Sequence, residues 1–526
     1  MGTHHLRPVE DLDDSLARAA LEPDVADPYP ARAFSNQSET PYLDALEAFA
    51  DGDVARLHVP GHKGGPGAGR RVVDALGERA IRLDVPACTH GIDIGAEPTP
   101  LARAETLAAD LYGAARTWFL VNGASQGNHA VCLALAQRGR SVVVQRNVHA
   151  SMVSGLILSG LQPLFVAPEL DMEIGVAHCI TPEALEEALA GHQEPGGVFL
   201  VSPTYYGAVA DVAGLAEVAH SRGLPLIVDE AWGAHLALHE DLPSHALAEG
   251  ADVVLSGTHK ILGSLTQSAM LHVGWEAERW IGADSLDRAL SLTSSTSPNS
   301  LLLGSLDAVR RHAALNGRAL LEATLAAIEE ARTAIRRIPG LDVIDESIVG
   351  RPGVAAYDPL RLVVDVSASG HTGFAIANHL RDHSRIYLEF VEESLLVALF
   401  GVGGSARTDS ARLSEGLRSA TRALALTGGP AGTQSAYVQA PSWGPLERSP
   451  REAFLGPQEA VRLGAAVGRI AAESLSVYPP GIANVLPGER LQAPMLKYLR
   501  QMREQGGRIR GASDETLRTI RVVRED

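Results

Sequence analysis

The sequence predicts an α/β protein whose large domain is built around a mostly parallel β-sheet with helices on both faces. Between residues 104 and 254, short apolar strands alternate with helical segments. The predicted strands lie at 118–121, 141–145, 162–166, 197–202, 224–229 and 252–256. Strands of parallel sheets are buried on both faces, which explains apolar runs of this kind.

Polar residues cluster where these strands end. Ligands of parallel α/β sheets bind outside the carboxyl ends of the strands. The polar residues at or just past those ends are Ser125, His149, Ser202, Asp229 and Ser256. The sequence therefore predicts one functional site along this edge of the sheet.

The length of 526 residues predicts several domains. We expect an N-terminal arm at 1–41, a large domain at 42–310, a smaller α/β domain at 311–428 and a C-terminal α+β domain at 429–526. A long helix at 301–337 leaves the large domain, and strands at 360–366 and 395–400 follow it. The last segment is predicted to contain a linker at 428–433, a helix at 457–473, a turn at Tyr478-Pro479-Pro480-Gly481 and a strand at 517–523.

Composition narrows the possible partners and the location. The net charge of −18 argues against nucleic acid or an anionic membrane as a partner. No apolar run reaches the roughly 18 residues that span a membrane, and we expect no signal peptide. Cys88, Cys132 and Cys179 lie far apart, as reduced thiols of a cytoplasmic protein would. No histidine grouping has metal-ligand spacing, so no metal is predicted.

Two neighbouring strands deliver an acid and an amine to the same edge. Asp229 ends one apolar strand, and Lys260 follows the next strand in Ser256-Gly257-Thr258-His259-Lys260. Pyridoxal phosphate needs both groups, because a lysine forms a Schiff base with it and an acid keeps its pyridine nitrogen protonated. Asp229 alone could equally be a structural or helix-capping residue. Together, the two residues predict this cofactor.

Other residues near these strands suit the same cofactor. Ser125 and Gln126 begin a helix after a strand, where backbone N–H groups favour a phosphate; the alternative is simple helix capping by Asn122 or Ser125. Ser256 and His259 crowd Lys260 with further phosphate-compatible groups. His149 could stack on the ring and protonate a carbanion, or be an ordinary histidine.

The chain resembles the Orn/Lys/Arg decarboxylase family of fold-type I pyridoxal-phosphate enzymes, in its shorter bacterial form without an N-terminal receiver-like domain. The resemblance runs in order along nearly the whole chain. The motifs that carry it are Pro60-Gly61-His62-Lys63, Val121-Asn122-Gly123-Ala124-Ser125-Gln126-Gly127-Asn128, Arg146-Asn147-Val148-His149, Ser202-Pro203-Thr204-Tyr205-Tyr206-Gly207, Asp229-Glu230-Ala231-Trp232-Gly233-Ala234-His235, Thr258-His259-Lys260, Leu265-Thr266-Gln267, Ser295-Thr296-Ser297-Pro298 and Tyr478-Pro479-Pro480-Gly481.

The resemblance implies roles for these residues. Lys260 would carry the cofactor, Asp229 would hold the pyridine nitrogen and His149 would stack on the ring. Thr296 would reach the phosphate of a neighbouring subunit, since the family builds its sites across a dimer interface. The other implied cofactor contacts are Ser125, Gln126, Thr204, Ala231, Trp232, Ser256 and His259.

The implied reaction is decarboxylation of a basic amino acid to an amine and CO₂. His62 and Lys63, in a glycine-rich loop, are candidate substrate contacts, although that loop could simply be a tight turn. Glu389 and Glu392 are candidate partners for the distal cation of the substrate, or solvated helix acids.

The sequence leaves the substrate open among arginine, lysine and ornithine. Arginine is slightly preferred, because the shorter relatives include biosynthetic arginine decarboxylases. Trp232 stands where many shorter relatives have histidine, and Asn299 where serine is common. The alternatives are another enzyme using this cofactor, such as an aminotransferase or a β-eliminating lyase, and a non-catalytic protein that binds it.

Overall fold

The computed structural model describes residues 36–87, 89–191, 195–403, 405–427, 441–478, 482–504 and 507–525. Most of the predicted arm, the predicted linker at 428–433, Cys88 and the Pro479-Pro480-Gly481 part of the predicted turn lie outside the described residues. No described helix combines the length and the apolar character that a membrane crossing requires.

Fifteen α-helices and twenty β-strands make up the described part of the chain. The helices are α1 Pro41–Asp51, α2 Arg70–Leu76, α3 Glu78–Leu83, α4 Pro100–Tyr112, α5 Gly123–Leu135, α6 Ala150–Ser159, α7 Pro182–Ala190, α8 Val212–Ser221, α9 Thr258–Ile261, α10 Ala283–Thr293, α11 Ser300–Arg336, α12 Gly373–His379, α13 Ala406–Thr427, α14 Pro450–Leu455 and α15 Ala493–Glu504. The strands are β1 Arg116–Leu120, β2 Ser141–Gln145, β3 Gln162–Val166, β4 Leu170–Asp171, β5 Val176–Ala177, β6 Val198–Val201, β7 Ala208–Val209, β8 Leu226–Asp229, β9 Val253–Ser256, β10 Ala269–Val273, β11 Asp342–Ile344, β12 Ala356–Tyr357, β13 Arg361–Asp365, β14 Phe390–Val391, β15 Leu395–Leu399, β16 Gln458–Arg462, β17 Leu475–Tyr478, β18 Ala483–Val485, β19 Arg508–Arg510 and β20 Thr519–Val523.

The predicted parallel sheet is confirmed, with one exception. Seven strands lie in the order β1-β10-β9-β8-β6-β2-β3. The strands β9, β8, β6, β2 and β3 pair in parallel, whereas β10 is antiparallel to both of its neighbours. All residues of β6, β8 and β9 are buried. The sequence analysis missed β10, which lies directly after the Lys260 segment and inserts between β9 and β1.

A second sheet follows the long helix α11, as predicted. Its four strands lie in the order β11-β13-β15-β14 and are all antiparallel. The short pairing of β12 with β7 joins this part of the chain to the segment after β6. The domain boundaries that the sequence suggests remain a prediction.

The predicted helix at 457–473 is wrong. Residues Gln458–Arg462 form β16, which pairs antiparallel with β20 along its whole length. The segment is rich in alanine and has a helix-like apolar spacing, but Gly468 adopts a φ of +80°, which ends any helix there. Strand pairing with β20, the predicted final strand, overrides the weak local preference for helix.

A buried ion pair fastens the C-terminal segment to the large sheet. Arg146, directly after β2, donates to Glu489 Oε1 from Nη2 at 2.8 Å and from Nε at 3.2 Å. Its Nη1 donates to the Ala483 carbonyl at 2.7 Å, and its guanidinium lies 4.6 Å from the Trp443 ring centroid. Both charged side chains are at least 96% buried. Three residues further on, His149 forms an isolated backbone bridge with Ile482, so this contact places C-terminal residues beside the carboxyl end of the sheet.

We expect Arg146→Met to destabilise the C-terminal segment by about 3–5 kcal/mol, because it leaves the Glu489 carboxylate buried and unpaired. Urea unfolding followed by tryptophan fluorescence measures the loss. The matched control is Arg490→Met, which breaks the much more exposed pair of Arg490 with Glu447 and should cost far less. Equal unfolding midpoints for the two variants would contradict the proposed importance of the buried pair.

Candidate active site

Asp229 lies at the end of β8 and is 4% exposed. Two donors hold its carboxylate: Asn128 Nδ2 donates to Oδ2 at 2.9 Å, and the Ala231 backbone N–H donates to Oδ1 at 3.1 Å. Burying a charge without such partners is costly. The carboxylate is therefore prearranged as a buried negative charge at the carboxyl edge of the sheet.

Lys260 lies in α9, directly after β9 and the turn at Gly257. Burial lowers the pKa of its amine to about 8, while the charge of Asp229 opposes this shift. The turn requires glycine, because a Cβ on Gly257 would lie 2.5 Å from the Ala231 carbonyl oxygen. The loops after β8 and β9 consequently pack against each other, which brings the predicted acid and amine to one site.

The Trp232 ring contacts both Lys260 and a buried arginine, Arg361. The Lys260 Nζ lies 3.8 Å from the Trp232 ring centroid, and the Arg361 guanidinium carbon lies 4.8 Å from it. Arg361 also donates to the Trp232 carbonyl at 3.1 Å and pairs with Asp358 at 3.5 Å. Asp358 in turn lies 3.0 Å from His235 Nε2. This network fixes both the backbone and the ring of Trp232.

His149 caps the N-terminus of α6 and is half-buried. Its Nδ1 lies 2.8 Å from Ser151 Oγ and accepts the Ser151 backbone N–H at 3.2 Å. Burial lowers the pKa of His149; Asp229 opposes this effect, and Lys260 and Arg510 add to it. The imidazole therefore lies within the electrostatic reach of the predicted acid and amine.

Several buried polar atoms near Lys260 have no partner among the described residues. They are Ser256 Oγ, Thr258 Oγ1 and Gln126 Oε1. Gln126 and the half-buried Ser125 lie in the first turn of α5, and Gln126 Nε2 donates to Ser294 Oγ at 2.6 Å. Unpartnered buried hydroxyls are unusual in proteins. A phosphate beside the N-terminus of α5 would accept from the Ser256 and Thr258 hydroxyls, so these two residues fit pyridoxal phosphate; Gln126 Oε1 is itself an acceptor.

His259 and Thr204 are already engaged by the protein. His259 Nδ1 donates to the Ser268 carbonyl at 2.7 Å, and burial lowers its pKa. Its Nε2 can therefore donate to a phosphate only when the ring is protonated. Thr204 is 2% exposed and its hydroxyl accepts the Ala208 N–H at 3.1 Å, which holds the turn after β6. Ala231 is 7% exposed and follows Asp229 closely enough to line the same site.

The remaining predicted residues lie apart from Lys260. Thr296 is exposed in the loop between α10 and α11. His62 lies 3.1 Å from Asp84, and the exposed Lys63 donates to the His58 carbonyl. Among the described contacts, none joins these three residues to Lys260.

Glu389 and Glu392, the two candidate partners for the distal cation of the substrate, have different surroundings. Glu389 is exposed, and its charge acts on both Lys260 and Arg361. Glu392 accepts the Tyr206 hydroxyl at 2.6 Å, and burial raises the pKa of its carboxyl to about 7. Glu389 is therefore the candidate whose charge reaches Lys260.

The sequence analysis assigned no role to Asn128, Ser151 or Arg361. Asn128 and Ser151 lie three and two residues from the predicted Ser125 and His149, at helical and capping spacing. A search for polar side chains on the same helix turns would have found these two. Arg361 begins β13 in the second sheet, and no local pattern indicates that it reaches Trp232.

Two family models match the chain. Residues 40–408 match the major domain of Orn/Lys/Arg decarboxylases, and residues 441–517 match the C-terminal domain of the same family. The arginine decarboxylase of Halalkalibacterium halodurans is 35% identical over 493 residues, which cover 93% of this chain and 99% of that protein. The arginine decarboxylase of Bacillus subtilis is 34% identical over 490 residues, with the same shares of each chain.

Solved structures show the same fold. Lysine decarboxylase A from Pseudomonas aeruginosa superposes with a TM-score of 0.77 at 21% identity, over 92% of this chain and 80% of that one. The constitutive lysine decarboxylase of Escherichia coli gives a TM-score of 0.76 at 19% identity, over 93% of this chain and 82% of that one. The resemblance predicted from the motifs is confirmed: the chain belongs to the Orn/Lys/Arg decarboxylase family and is a pyridoxal-phosphate-dependent decarboxylase of a basic amino acid.

Proposed function

We propose that the substrate is arginine, which the enzyme converts to agmatine and CO₂. The observation that carries this proposal is the similarity, at 33–35% identity over 93% of the chain, to three proteins named arginine decarboxylases. The lysine decarboxylases of known structure are only 18–21% identical. A likeness at that level supports the fold and not the choice of substrate.

Each residue of the site has a different proposed role in the reaction. When bound, pyridoxal phosphate supplies an electron sink for the pair left behind when CO₂ departs. Asp229, with its buried charge, would hold a proton on the pyridine nitrogen. Lys260 would hold the cofactor through Nζ. Ser125, Gln126, Ser256 and His259 would surround the phosphate, and His149 would stack on the ring.

Two groups can return a proton to the carbon that loses CO₂. Burial lowers the pKa of the Lys260 amine to about 8, so a free amine there would still hold a proton at neutral pH. The His149 Nε2 is the other candidate, because Nδ1 is engaged by Ser151. Both groups lie near Asp229, whose charge stabilises a positive neighbour.

Glu389 is the proposed partner for the guanidinium of arginine. It is exposed and acts electrostatically on Lys260. Glu392 accepts the Tyr206 hydroxyl instead. A carboxylate can accept two parallel hydrogen bonds from a guanidinium, which lysine and ornithine cannot supply.

We also infer a cytoplasmic homodimer. Large apolar side chains are exposed along residues 57–94 and near Thr296, including Leu57 at 94%, Leu76 at 63% and Leu292 at 75%. Exposed apolar patches of this kind favour a protein interface. In such a dimer, as the family resemblance implies, Thr296 of one subunit would reach the cofactor phosphate of the other.

A panel of amino acids tests the substrate. With arginine, lysine and ornithine offered separately, we expect agmatine and CO₂ in equal amounts and the highest kcat/KM for arginine. No 2-oxo acid should be required or formed. A strict requirement for a 2-oxo acid would identify an aminotransferase instead, and preference for lysine would refute the arginine proposal.

The three lysines of the chain make the Lys260 assignment easy to test. Borohydride should fix one cofactor per chain in the native protein and in the Lys497→Ala control, which alters an exposed residue of α15, but none in Lys260→Ala. The rate of cofactor attachment to the cofactor-free protein should rise up to pH 8 and level off above it, because only the unprotonated amine attacks. A fixed cofactor in Lys260→Ala, located by peptide mass spectrometry, would show that another residue carries it.

A further inference from the structure

A buried chain of hydrogen bonds joins Asp229 to His149 through two residues without an assigned role. Asn128 Nδ2 lies 2.9 Å from Asp229 Oδ2 and 2.9 Å from Ser151 Oγ. Ser151 Oγ lies 2.8 Å from His149 Nδ1. Asn128 is 1% exposed and Ser151 is 7% exposed, so bulk water has little access to these bonds.

Asp229 and His149, at the two ends of this series of hydrogen bonds, fix the direction of each bond. An ionised carboxylate only accepts, so Asn128 must turn its amide nitrogen toward Asp229. The second N–H of that nitrogen then donates to Ser151 Oγ, whose own proton is left for His149 Nδ1. At the other end, the backbone N–H of Ser151 also donates to Nδ1. A neutral imidazole that accepts at Nδ1 carries its proton on Nε2.

Asn128 keeps its amide nitrogen toward Asp229 even though this orientation leaves its oxygen without a described partner. Its Oδ1 is buried and has no partner among the described residues, which is unfavourable for a buried acceptor. The flipped amide would instead place its oxygen against the Asp229 carboxylate, where two acceptors repel each other. The charge of Asp229 therefore selects the orientation that leaves Oδ1 unpaired.

We propose that Asn128 and Ser151 are positioning residues that transmit the charge of Asp229 to His149 and hold its ring as the neutral Nε2–H tautomer. Their effect on the reaction rests on the proposed decarboxylation, whereas the tautomer is a property of the protein itself. Only this tautomer presents a proton on the outward nitrogen of a neutral ring. With the proton on Nδ1, Nε2 would be an acceptor and could not donate to a carbanion.

The charged groups around His149 favour the neutral ring. Lys260 and Arg510 disfavour the imidazolium, Asp229 favours it, and burial outweighs Asp229. The backbone of Ile482 forms an isolated bridge with that of His149. A neutral ring has two possible tautomers. The hydrogen bonds from Ser151 to Nδ1 decide which nitrogen holds the proton.

Nitrogen-15 NMR of histidine-labelled, cofactor-free protein reads the tautomer directly, and His149→Asn assigns the signal by difference. We expect the Nε2–H form in the native protein. In Ser151→Ala we expect a smaller Nε2–H fraction and a kcat for arginine lower by about 10-fold, the lower end of the loss caused by removing an outer hydrogen-bond partner, with KM changed less than about twofold. Ser151→Thr keeps the hydroxyl and should restore both properties.

Three results would overturn this proposal. The first is an Nδ1–H tautomer in the native protein. The second is a Ser151→Ala variant with a native tautomer, whatever its kcat. The third is a Ser151→Thr variant as impaired as Ser151→Ala, which would indicate a packing role. If the native protein has the Nε2–H tautomer but makes no agmatine, the proposed role of Asn128 and Ser151 stands and only the proposed substrate is refuted.

Discussion

Burial of the Asp229 carboxylate at the end of β8 is the constraint on which the rest of the site depends. Removing a carboxylate from water costs several kcal/mol unless donors and a counter-charge replace the lost hydration. Asn128 from α5 and the Ala231 backbone supply the donors, and Lys260 from the neighbouring strand supplies an amine whose charge Asp229 stabilises. The order of strands in the sheet brings these groups together, because β8 and β9 pair in parallel and end at the same edge.

Trp232 connects this charged centre to the second sheet. Its ring contacts both the Lys260 amine and the Arg361 guanidinium, and Arg361 belongs to β13. A shift of the second sheet would therefore move the ring that contacts Lys260. Tyr205 packs its edge on the same ring at 5.7 Å.

The sequence was sufficient to predict the elements whose pattern of apolar residues is clear. Buried parallel strands such as β8 and β9 are short apolar runs, and α11 keeps a helical apolar spacing along 37 residues. Asp229 and Lys260 could be predicted because each follows such a strand. In contrast, the segment of β16 has a helix-like composition, and only its pairing with β20 makes it a strand. Arg361 and Glu489 act across more than 100 residues of sequence, so no local pattern could identify them. The roles of the predicted cofactor contacts remain predictions.

The central claim is that the buried negative charge of Asp229, and not only its shape, drives decarboxylation. Asp229→Asn keeps the size of the side chain and removes the charge. The direct measurement is kcat for CO₂ release from arginine in a variant shown to retain one cofactor on Lys260. A fall of about 10²- to 10³-fold, equivalent to about 3–4 kcal/mol of transition-state stabilisation, is expected. A kcat equal to that of the native enzyme would contradict the account.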